Sequence, residues 1–377
     1  MSNPLLELRR HGQSVWCDNL GRRLLLSGEL ARLIAEDGVV GITSNPTIFD
    51  KAISETEDYD ADIARLAAQG LEAADIYEAL VVEDVRRAAD LLLPVYRETD
   101  GADGYVSLEV SPELAHDSEG TVAAVRRLWQ AVDRPNLMVK IPGTREGLPA
   151  IERCLYEGMN INVTLLFSVR RYEEVAWAYV RALERRAAEG LPVDGIASVA
   201  SFFVSRVDTL VDRLLEERIA ARPEEAPAAL RLLGKAGIAN ARLAYDRFRE
   251  IFASERFRAL QAKGARVQRC LWASTSTKNP AYSDVMYVEG LIGPQTVNTL
   301  PQVTLDAFRD HGRVAPTLTQ GLEEARRLMA DLAALGIDME AVAERLEEEG
   351  VRLFAESYRR TLASLSEKAR RLAPTAP

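Results

Sequence analysis

Short apolar runs alternate with longer amphipathic segments along the chain. Short aliphatic runs are typical of strands, whereas apolar residues three to four positions apart indicate helices. The pattern predicts strands at residues 14–18, 39–43, 104–110, 136–144, 161–165, 195–203, 267–273, 286–291 and 296–300. It predicts helices at residues 5–11, 24–36, 58–94, 121–132, 147–158 and 169–189, a further helix soon after Ser201, a helical insertion at about 215–265 and additional C-terminal helices at about 314–372.

The alternation of strand and helix repeats about eight times along the sequence. Such alternation predicts an α/β fold with a parallel sheet, most simply a (β/α)8 TIM barrel with additional helices. We expect residues 1–377 to form a single barrel domain. A doubly wound open sheet is the alternative, but its GxGxxG phosphate motif is absent from the chain, as is a P-loop.

Polar residues stand repeatedly at the ends of the predicted strands. In a barrel the C-terminal ends of all strands meet at one mouth, where active sites are built. Turns and helix caps account for one or two such residues, but a larger set that includes an amine predicts a functional mouth. The set is Asp18, Asn45, Glu109, Lys140, Asn162, Thr164, Ser201 and Lys278.

The run NLMVKIPGT at residues 136–144 carries the amine. Leu137, Val139 and Ile141 point to one face of the predicted strand, and Lys140 points to the other. A desolvated lysine has a lowered pKa, and its neutral amine can form a Schiff base with a carbonyl. The alternative is a lysine at a strand end that reaches solvent or pairs with a carboxylate.

Lysine is scarce in this chain, since six of the 47 basic residues are lysine and the others are arginine. A guanidinium stays protonated and cannot act as the nucleophile. The few lysines are therefore candidates for positions that need an amine, and Lys140 and Lys278 both stand at the ends of strand-like runs.

Composition and charge exclude several classes of function. The net charge of −10 argues against a protein that coats nucleic acid. No apolar run approaches the length of a membrane span, and the N-terminus lacks a signal-peptide core. Three widely spaced cysteines fit a reducing cytoplasm, and the three histidines show no metal-ligand spacing, so we expect a cytoplasmic protein without a metal centre.

The residues at the predicted mouth suit carbonyl chemistry through an imine. Asp18 and Glu109 would move protons beside the lysine, amides and hydroxyls would hold sugar hydroxyl groups, and Arg206 with Lys278 would bind a phosphate. Each has a simpler alternative. Asp18 can cap a turn, Glu109 can form a buried ion pair with the lysine, Arg206 can pair with an acidic residue of its own helix, and Lys278 can be solvated.

Six motifs resemble those of the transaldolase family and occur in the same order. The length of the chain and the form of its loops resemble the longer bacterial branch of that family. They are GITSNPTIF at 41–49, VSLEVSP at 106–112, VKIPGT at 139–144, INVTLLFS at 161–168, SFFVSRVD at 201–208 and ASTSTKNP at 273–280. The resemblance implies a metal-independent barrel enzyme of the pentose phosphate pathway. It would move a dihydroxyacetone unit between sugar phosphates, with no cofactor.

The resemblance also implies roles for individual residues. Lys140 matches the Schiff-base lysine, Asp18 the acid/base at the cleaved bond, and Glu109 with Thr164 the pair that positions a water. The residues that would bind substrate are Asn45, Asn162 and Ser201 for the dihydroxyacetone part, Arg206 for the phosphate, and Ser274 and Lys278 in a loop that differs in form from the shorter members.

Two other functions stay open. A fructose 6-phosphate aldolase of the same superfamily would release free dihydroxyacetone, but those enzymes carry glutamine where Glu109 stands and tyrosine where Phe203 stands. A barrel retained only for binding would not turn over sugar phosphates. We expect sugar phosphates as the small-molecule partners, and no nucleic acid or membrane. The sequence does not decide between a monomer and a homodimer.

Overall fold

A computed structural model describes residues 3–372, and its centre is a closed barrel of eight parallel strands. Each strand pairs with its neighbours in the sequence, and the last pairs with the first. The predicted (β/α)8 barrel is therefore confirmed. The strands are β1 Gln13–Cys17, β2 Val39–Thr43, β3 Tyr105–Glu109, β4 Leu137–Pro142, β5 Ile161–Leu166, β6 Ser198–Phe203, β7 Arg269–Ala273 and β8 Thr296–Leu300.

Helices surround this barrel. The α-helices are α1 Pro4–Leu8, α2 Arg22–Leu26, α3 Glu29–Asp37, α4 Pro46–Ser54, α5 Asp60–Ala67, α6 Ala73–Glu98, α7 Ser118–Val132, α8 Gly147–Tyr156, α9 Val169–Ala188, α10 Ser205–Ala221, α11 Ala226–Leu230, α12 Ala236–Phe252, α13 Glu255–Gln261, α14 Met286–Glu289, α15 Gln302–His311, α16 Leu322–Ala334 and α17 Met339–Leu372. Short 3₁₀ turns lie at Arg9–His11, Pro112–Leu114 and Pro223–Glu225. Across residues 3–372, no helix combines the length and apolarity needed to cross a bilayer.

The prediction of a strand at residues 286–291 is wrong, because this segment contains the short helix α14. Strand β7 pairs directly with β8, so the closed ring has no free edge at which a ninth strand could pair. The helix predicted at 58–94 is two helices, α5 and α6, separated by the turn at residues 68–72.

Alternation along β4 separates two cores, as the sequence predicts. Leu137, Val139 and Ile141 are fully buried against the surrounding helices. Met138 belongs to a second core, in which Trp16 is also buried. Lys140 lies two residues further along the face of Met138, where the barrel interior changes from apolar to polar side chains.

Two helical regions beyond the basic repeat differ in where they pack. Helix α12, within the segment predicted as an insertion, packs on the outer wall against α9, α16 and β7. Helix α17 instead contacts α4, α5, α6, α10 and β5. It therefore spans one side of the mouth and brings Phe354 to the cleft there.

Candidate active site

A cleft of about 600 Å³ opens at the C-terminal mouth of the barrel. Glu109 and Asn162 do not line it but contact residues that do. The cleft therefore brings together the strand-end residues that the sequence singles out. The predicted site residues in its lining are Asp18, Asn45, Lys140, Thr164, Ser201, Arg206, Ser274 and Lys278.

The amine of Lys140 is held between two oxygen atoms at the floor of the cleft. Its Nζ lies 3.1 Å from Oε2 of Glu109 and donates a hydrogen bond of 2.9 Å to the carbonyl of Ser44. Glu109 and Lys140 face each other because β3 and β4 pair at this register. Lys140 is only 5% exposed, so both the carboxylate pairing and the desolvated environment expected from the sequence are present.

The surroundings of Glu109 shift the pKa of its carboxyl group in two opposing ways. Removal from water raises the pKa of its carboxyl group, and the positive charge of Lys140 opposes that rise. The other carboxylate oxygen, Oε1, is buried and has no hydrogen-bond partner within residues 3–372. Glu109 therefore faces the lysine through Oε2, while Oε1 is available to accept a hydrogen bond.

Asp18 follows directly after β1, where the pairing of β1 with β2 shifts register. Burial raises the pKa of this carboxyl group, and Lys140 and a hydrogen bond from Thr43 oppose the rise. The Thr43 hydroxyl donates to Oδ1 over 2.7 Å and also lies 2.7 Å from the hydroxyl of Thr299. A partly buried carboxylate held by a hydrogen bond from a threonine is suited to accept a proton from a substrate hydroxyl.

Thr164 stands at an irregular point of β5. The pairing of β5 with β6 shifts between Val163 and Leu166, and Leu165 has the positive φ angle of 58°. Such a conformation is unfavourable for a residue other than glycine, and bulges of this kind often redirect side chains beside active sites. The Thr164 hydroxyl is buried without a hydrogen-bond partner in the described chain, so it remains free to hold a ligand or water.

A buried row of hydrogen bonds crosses three strands beneath the cleft. The Asn162 amide nitrogen donates to the Ser107 hydroxyl over 2.9 Å, and the Ser201 hydroxyl donates to the Asn162 oxygen over 2.7 Å. Asn162 therefore orients Ser201 rather than lining the cleft itself. Asn45 lines the cleft, and its side-chain oxygen caps α4 by accepting from Ile48, which leaves its amide hydrogens for a ligand.

Arg206 and Lys278 line the cleft, and neither has a carboxylate within ion-pair distance in residues 3–372. The Arg206 guanidinium lies 5.3 Å from the ring centre of Phe203 and 5.8 Å from that of Phe354, and burial lowers its pKa. Lys278 donates to the Ser276 hydroxyl over 2.7 Å, and burial and the charge of Arg206 lower its pKa. Unpaired cations in an otherwise heavily ion-paired chain are suited to hold an anion.

Ser274 follows directly after β7 and lines the cleft. Its hydroxyl lies 2.9 Å from that of Ser205, and its φ angle of 54° is in the left-handed region. The backbone is therefore held in an unfavourable conformation at the start of the loop that carries Lys278.

Lys51 and Phe354 are among the cleft residues that sequence reasoning missed. Lys51, on α4, is a third cation in its lining, and its signal was the scarcity of lysine together with its place directly after the SNPTIFD stretch. Phe354 reaches the cleft from α17, far along the sequence from every strand end. Its position depends on how α17 packs, for which the sequence holds no local signal.

The sequence model described as transaldolase/fructose-6-phosphate aldolase matches residues 15–365, which include every residue of the cleft. The chain belongs to this family. The family model therefore covers both the barrel and the part of α17 that reaches the mouth.

Individual members of the transaldolase/fructose-6-phosphate aldolase family resemble the chain over almost its full length. A transaldolase of Trichodesmium erythraeum is 49% identical over 99% of this chain and 100% of its own. Transaldolases of Thiobacillus denitrificans and Mycobacterium bovis are 51% and 50% identical over 96% of this chain and 99% and 96% of their own. Similarity of this extent to several transaldolases supports transaldolase function.

Proposed function

We propose that the chain is a pentose phosphate pathway transaldolase. It moves a dihydroxyacetone unit between sedoheptulose 7-phosphate with glyceraldehyde 3-phosphate and erythrose 4-phosphate with fructose 6-phosphate. The observation that carries this proposal is the buried amine of Lys140, 3.1 Å from Glu109, on the floor of a cleft that also contains unpaired cations.

The first step joins the donor ketose to Lys140. Glu109 accepts a proton from the ammonium group, and the neutral amine attacks the C2 carbonyl of the ketose phosphate. The hydroxyl group of the resulting carbinolamine leaves as water after Glu109 returns its proton. Thr164 holds this water, a role that its unpartnered buried hydroxyl supports.

The second step breaks the carbon–carbon bond. Asp18 removes the proton of the C4 hydroxyl, the C3–C4 bond breaks, and its electron pair moves to the protonated imine. An aldose phosphate leaves, and a three-carbon enamine stays bound to Lys140. An acceptor aldose phosphate then binds, and the enamine attacks its aldehyde group to form a new carbon–carbon bond. The imine is the electron sink, so we expect a chelator to leave the rate unchanged.

The remaining polar groups hold the two ends of the substrate. Asn45, Ser201 and, through Ser201, Asn162 would hold the hydroxyl groups of the dihydroxyacetone unit. The substrate phosphate would lie against Arg206, Lys278 and Ser274. The partly desolvated guanidinium of Arg206 supports this assignment, because hydrogen bonds from charged groups strengthen where water is excluded.

A fructose 6-phosphate aldolase is the second candidate, because the family model includes both activities. The presence of Glu109 beside the lysine and of Phe203 against Arg206 favours the transferase. In the aldolase the enamine is protonated and water then releases dihydroxyacetone. In the transaldolase the enamine adds to an acceptor aldose phosphate.

Product analysis with and without acceptor tests the proposal. Purified protein with fructose 6-phosphate and erythrose 4-phosphate should form sedoheptulose 7-phosphate and glyceraldehyde 3-phosphate with ping-pong kinetics. Fructose 6-phosphate alone should yield little free dihydroxyacetone. Abundant free dihydroxyacetone without acceptor would favour the aldolase, and no turnover of either kind would contradict both.

We also propose that the protein acts in the cytoplasm. Cys17, Cys154 and Cys270 are free and buried, as expected of thiols in a reducing compartment. A native thiol titration should find no reactive cysteine, and cell fractionation should place the activity in the cytoplasmic fraction. Recovery of the activity with secreted proteins would contradict this location.

A further inference from the structure

Helix α10 carries two buried aspartates one turn apart, Asp208 and Asp212, which are 1% and 8% exposed. Neither has a cation within ion-pair distance in residues 3–372. Asp208 accepts hydrogen bonds from the Gly237 backbone over 2.7 Å and from the Tyr287 hydroxyl over 2.8 Å. Asp212 accepts from the Gly234 backbone over 2.8 Å and from the Tyr282 hydroxyl over 2.7 Å.

The two aspartates join the elements that carry the unpaired cations. Arg206 lies in the first turn of the same helix. Tyr282 and Tyr287 belong to the segment after β7, which also carries Ser274 and Lys278. The four hydrogen bonds therefore connect α10 with this segment and with the start of α12.

The fit around these bonds is close. A Cβ atom on Gly237 would lie 2.7 Å from the Val204 carbonyl oxygen. Gly234 has a φ angle of +67°, and a Cβ atom there would lie 2.7 Å from the Tyr282 ring. A side chain at Gly234 or Gly237 would therefore disturb the packing at this junction, which consists of α10, the start of α12 and the segment after β7.

Apart from the tyrosine bonds, the hydrogen bonds within residues 3–372 join the segment after β7 to β6 and α10 only at the start of the segment. The Val204 and Ser205 backbone nitrogens each donate over 3.0 Å, to the carbonyls of Ala273 and Ser274. Further along, the bonds around Lys278 stay within the loop: Lys278 donates to Ser276 and Thr277 donates to the Ser283 carbonyl. The tyrosine hydroxyls are thus the connection that holds the far side of the loop to α10.

We propose that Asp208 and Asp212, acting through Tyr287 and Tyr282, are positioning residues that set the placement of Lys278 relative to Arg206. This inference rests on the proposed function in that the ligand is the phosphate of a sugar phosphate. Neither aspartate touches the substrate. Loosening the junction lets the loop move, which weakens phosphate binding and leaves the chemistry at Lys140 intact.

Tyr282→Phe is the sharpest test, because it removes one hydroxyl and keeps the ring. We expect the KM for fructose 6-phosphate to rise about tenfold and kcat to stay unchanged. A tenfold rise corresponds to the loss of roughly one hydrogen bond to a charged group. Asp212→Asn replaces the charged acceptor of this bond with a neutral amide, so it should also raise KM, and the effects of the two changes should be less than additive in the double variant because they act on one bond. Tyr245→Phe is the matched control, since that buried hydroxyl donates over 3.0 Å to Pro294 outside the cleft.

Inorganic phosphate separates this inference from the proposed function. Calorimetric titration of the full chain should show weaker phosphate binding in Tyr282→Phe than in wild type or Tyr245→Phe. Equal phosphate affinity and equal KM in Tyr282→Phe would overturn the positioning role and leave the transaldolase activity standing. If wild type turns over no sugar phosphate, the proposed function fails, and the phosphate titration still decides whether the junction positions an anion site.

Discussion

At the residue scale, Lys140 differs from the other described lysines in what surrounds its nitrogen. It is buried beside Glu109, within the polar layer of the barrel interior. Lys263 is exposed at the end of α13, and Lys368 pairs with Asp60 on the outside of the barrel. A Schiff-base mechanism needs an amine as its nucleophile, and Lys140 places one beside the carboxylate of Glu109.

Lys140→Arg keeps the positive charge opposite Glu109 but removes the nucleophile. We expect a folded protein whose transaldolase rate is lower by several orders of magnitude, because a guanidinium stays protonated. Lys263→Arg, an exposed exchange of the same kind, should keep full activity. Activity near wild type in Lys140→Arg, measured with both substrates, would remove the lysine from the mechanism.

The pKa of Asp18 gives a prediction for the pH profile. The Thr43 hydrogen bond stabilises the charged carboxylate and so lowers a pKa that burial raises. Thr43→Val removes the bond, so Asp18 should become protonated at higher pH and the acidic limb of kcat/KM should move to higher pH. Thr121→Val, which removes a hydroxyl bonded to Leu114 away from the cleft, should leave the limb in place. An unmoved limb in Thr43→Val would mean that another group controls it.

Residues of the site could be predicted where strand order alone brings them together. Asp18, Lys140 and Thr164 follow from the rule that the C-terminal ends of barrel strands meet at one mouth. Asn162 was predicted to bind substrate, yet it lies beneath the lining and bonds to Ser201. Which of two neighbouring polar residues reaches a cleft depends on local register, and β5 is irregular there.

At the element scale, the repeating strand–helix pattern does not predict the position of α17 across the mouth of the barrel. At Gly350 this helix lies close to the barrel, because a Cβ atom there would lie 2.9 Å from Leu165 Cδ2. Arg206 Nη1 lies 3.5 Å from the same point, so the glycine lets the helix approach both residues. The helix then brings Phe354 against the guanidinium.

Gly350→Val should push α17 away from the mouth. Because Phe354 would then lose its contact with Arg206, we expect a higher KM for sugar phosphates and a lower midpoint of thermal unfolding. Ala363→Val, at an exposed position of the same helix, controls for the low helix propensity of valine. Equal effects of the two substitutions would show that the approach of α17 at Gly350 has no part in substrate binding.

Most elements could be predicted because strand and helix periodicities differ clearly. The segment at 286–291 is an exception, since a short apolar run can form either a strand or a helix. Only the closure of the ring decides it, and closure is not a local property. The packing partners of α12 on the barrel wall are also not a local property of the sequence, because an apolar helix face can pack against any neighbouring layer.

At the scale of the whole molecule, a buried charge network joins the helices that follow β1 and β2. Arg22 donates over 2.6 Å to Asp84 and over 2.6 Å to Asp62. The Tyr59 hydroxyl donates over 2.7 Å to the other oxygen of Asp84. Asp84 is fully buried, and burial raises its pKa although Arg22 lies beside it.

Arg22→Met should lower the free energy of unfolding by about 3–5 kcal/mol, because it leaves a buried carboxylate without its cation. Replacing both partners, in Arg22→Met with Asp84→Leu, should recover most of that loss. Chemical denaturation at neutral pH measures both variants. A double variant as unstable as the single variant would show that packing, and not the unpaired charge, causes the loss.

The measurement that tests the central claim most directly is borohydride trapping. The protein is incubated with fructose 6-phosphate without acceptor, reduced, digested and searched by mass spectrometry. The mechanism predicts a three-carbon adduct on the peptide that contains Lys140, and none in Lys140→Arg. Unmodified protein with unchanged substrate, or an adduct on a different lysine, would contradict it.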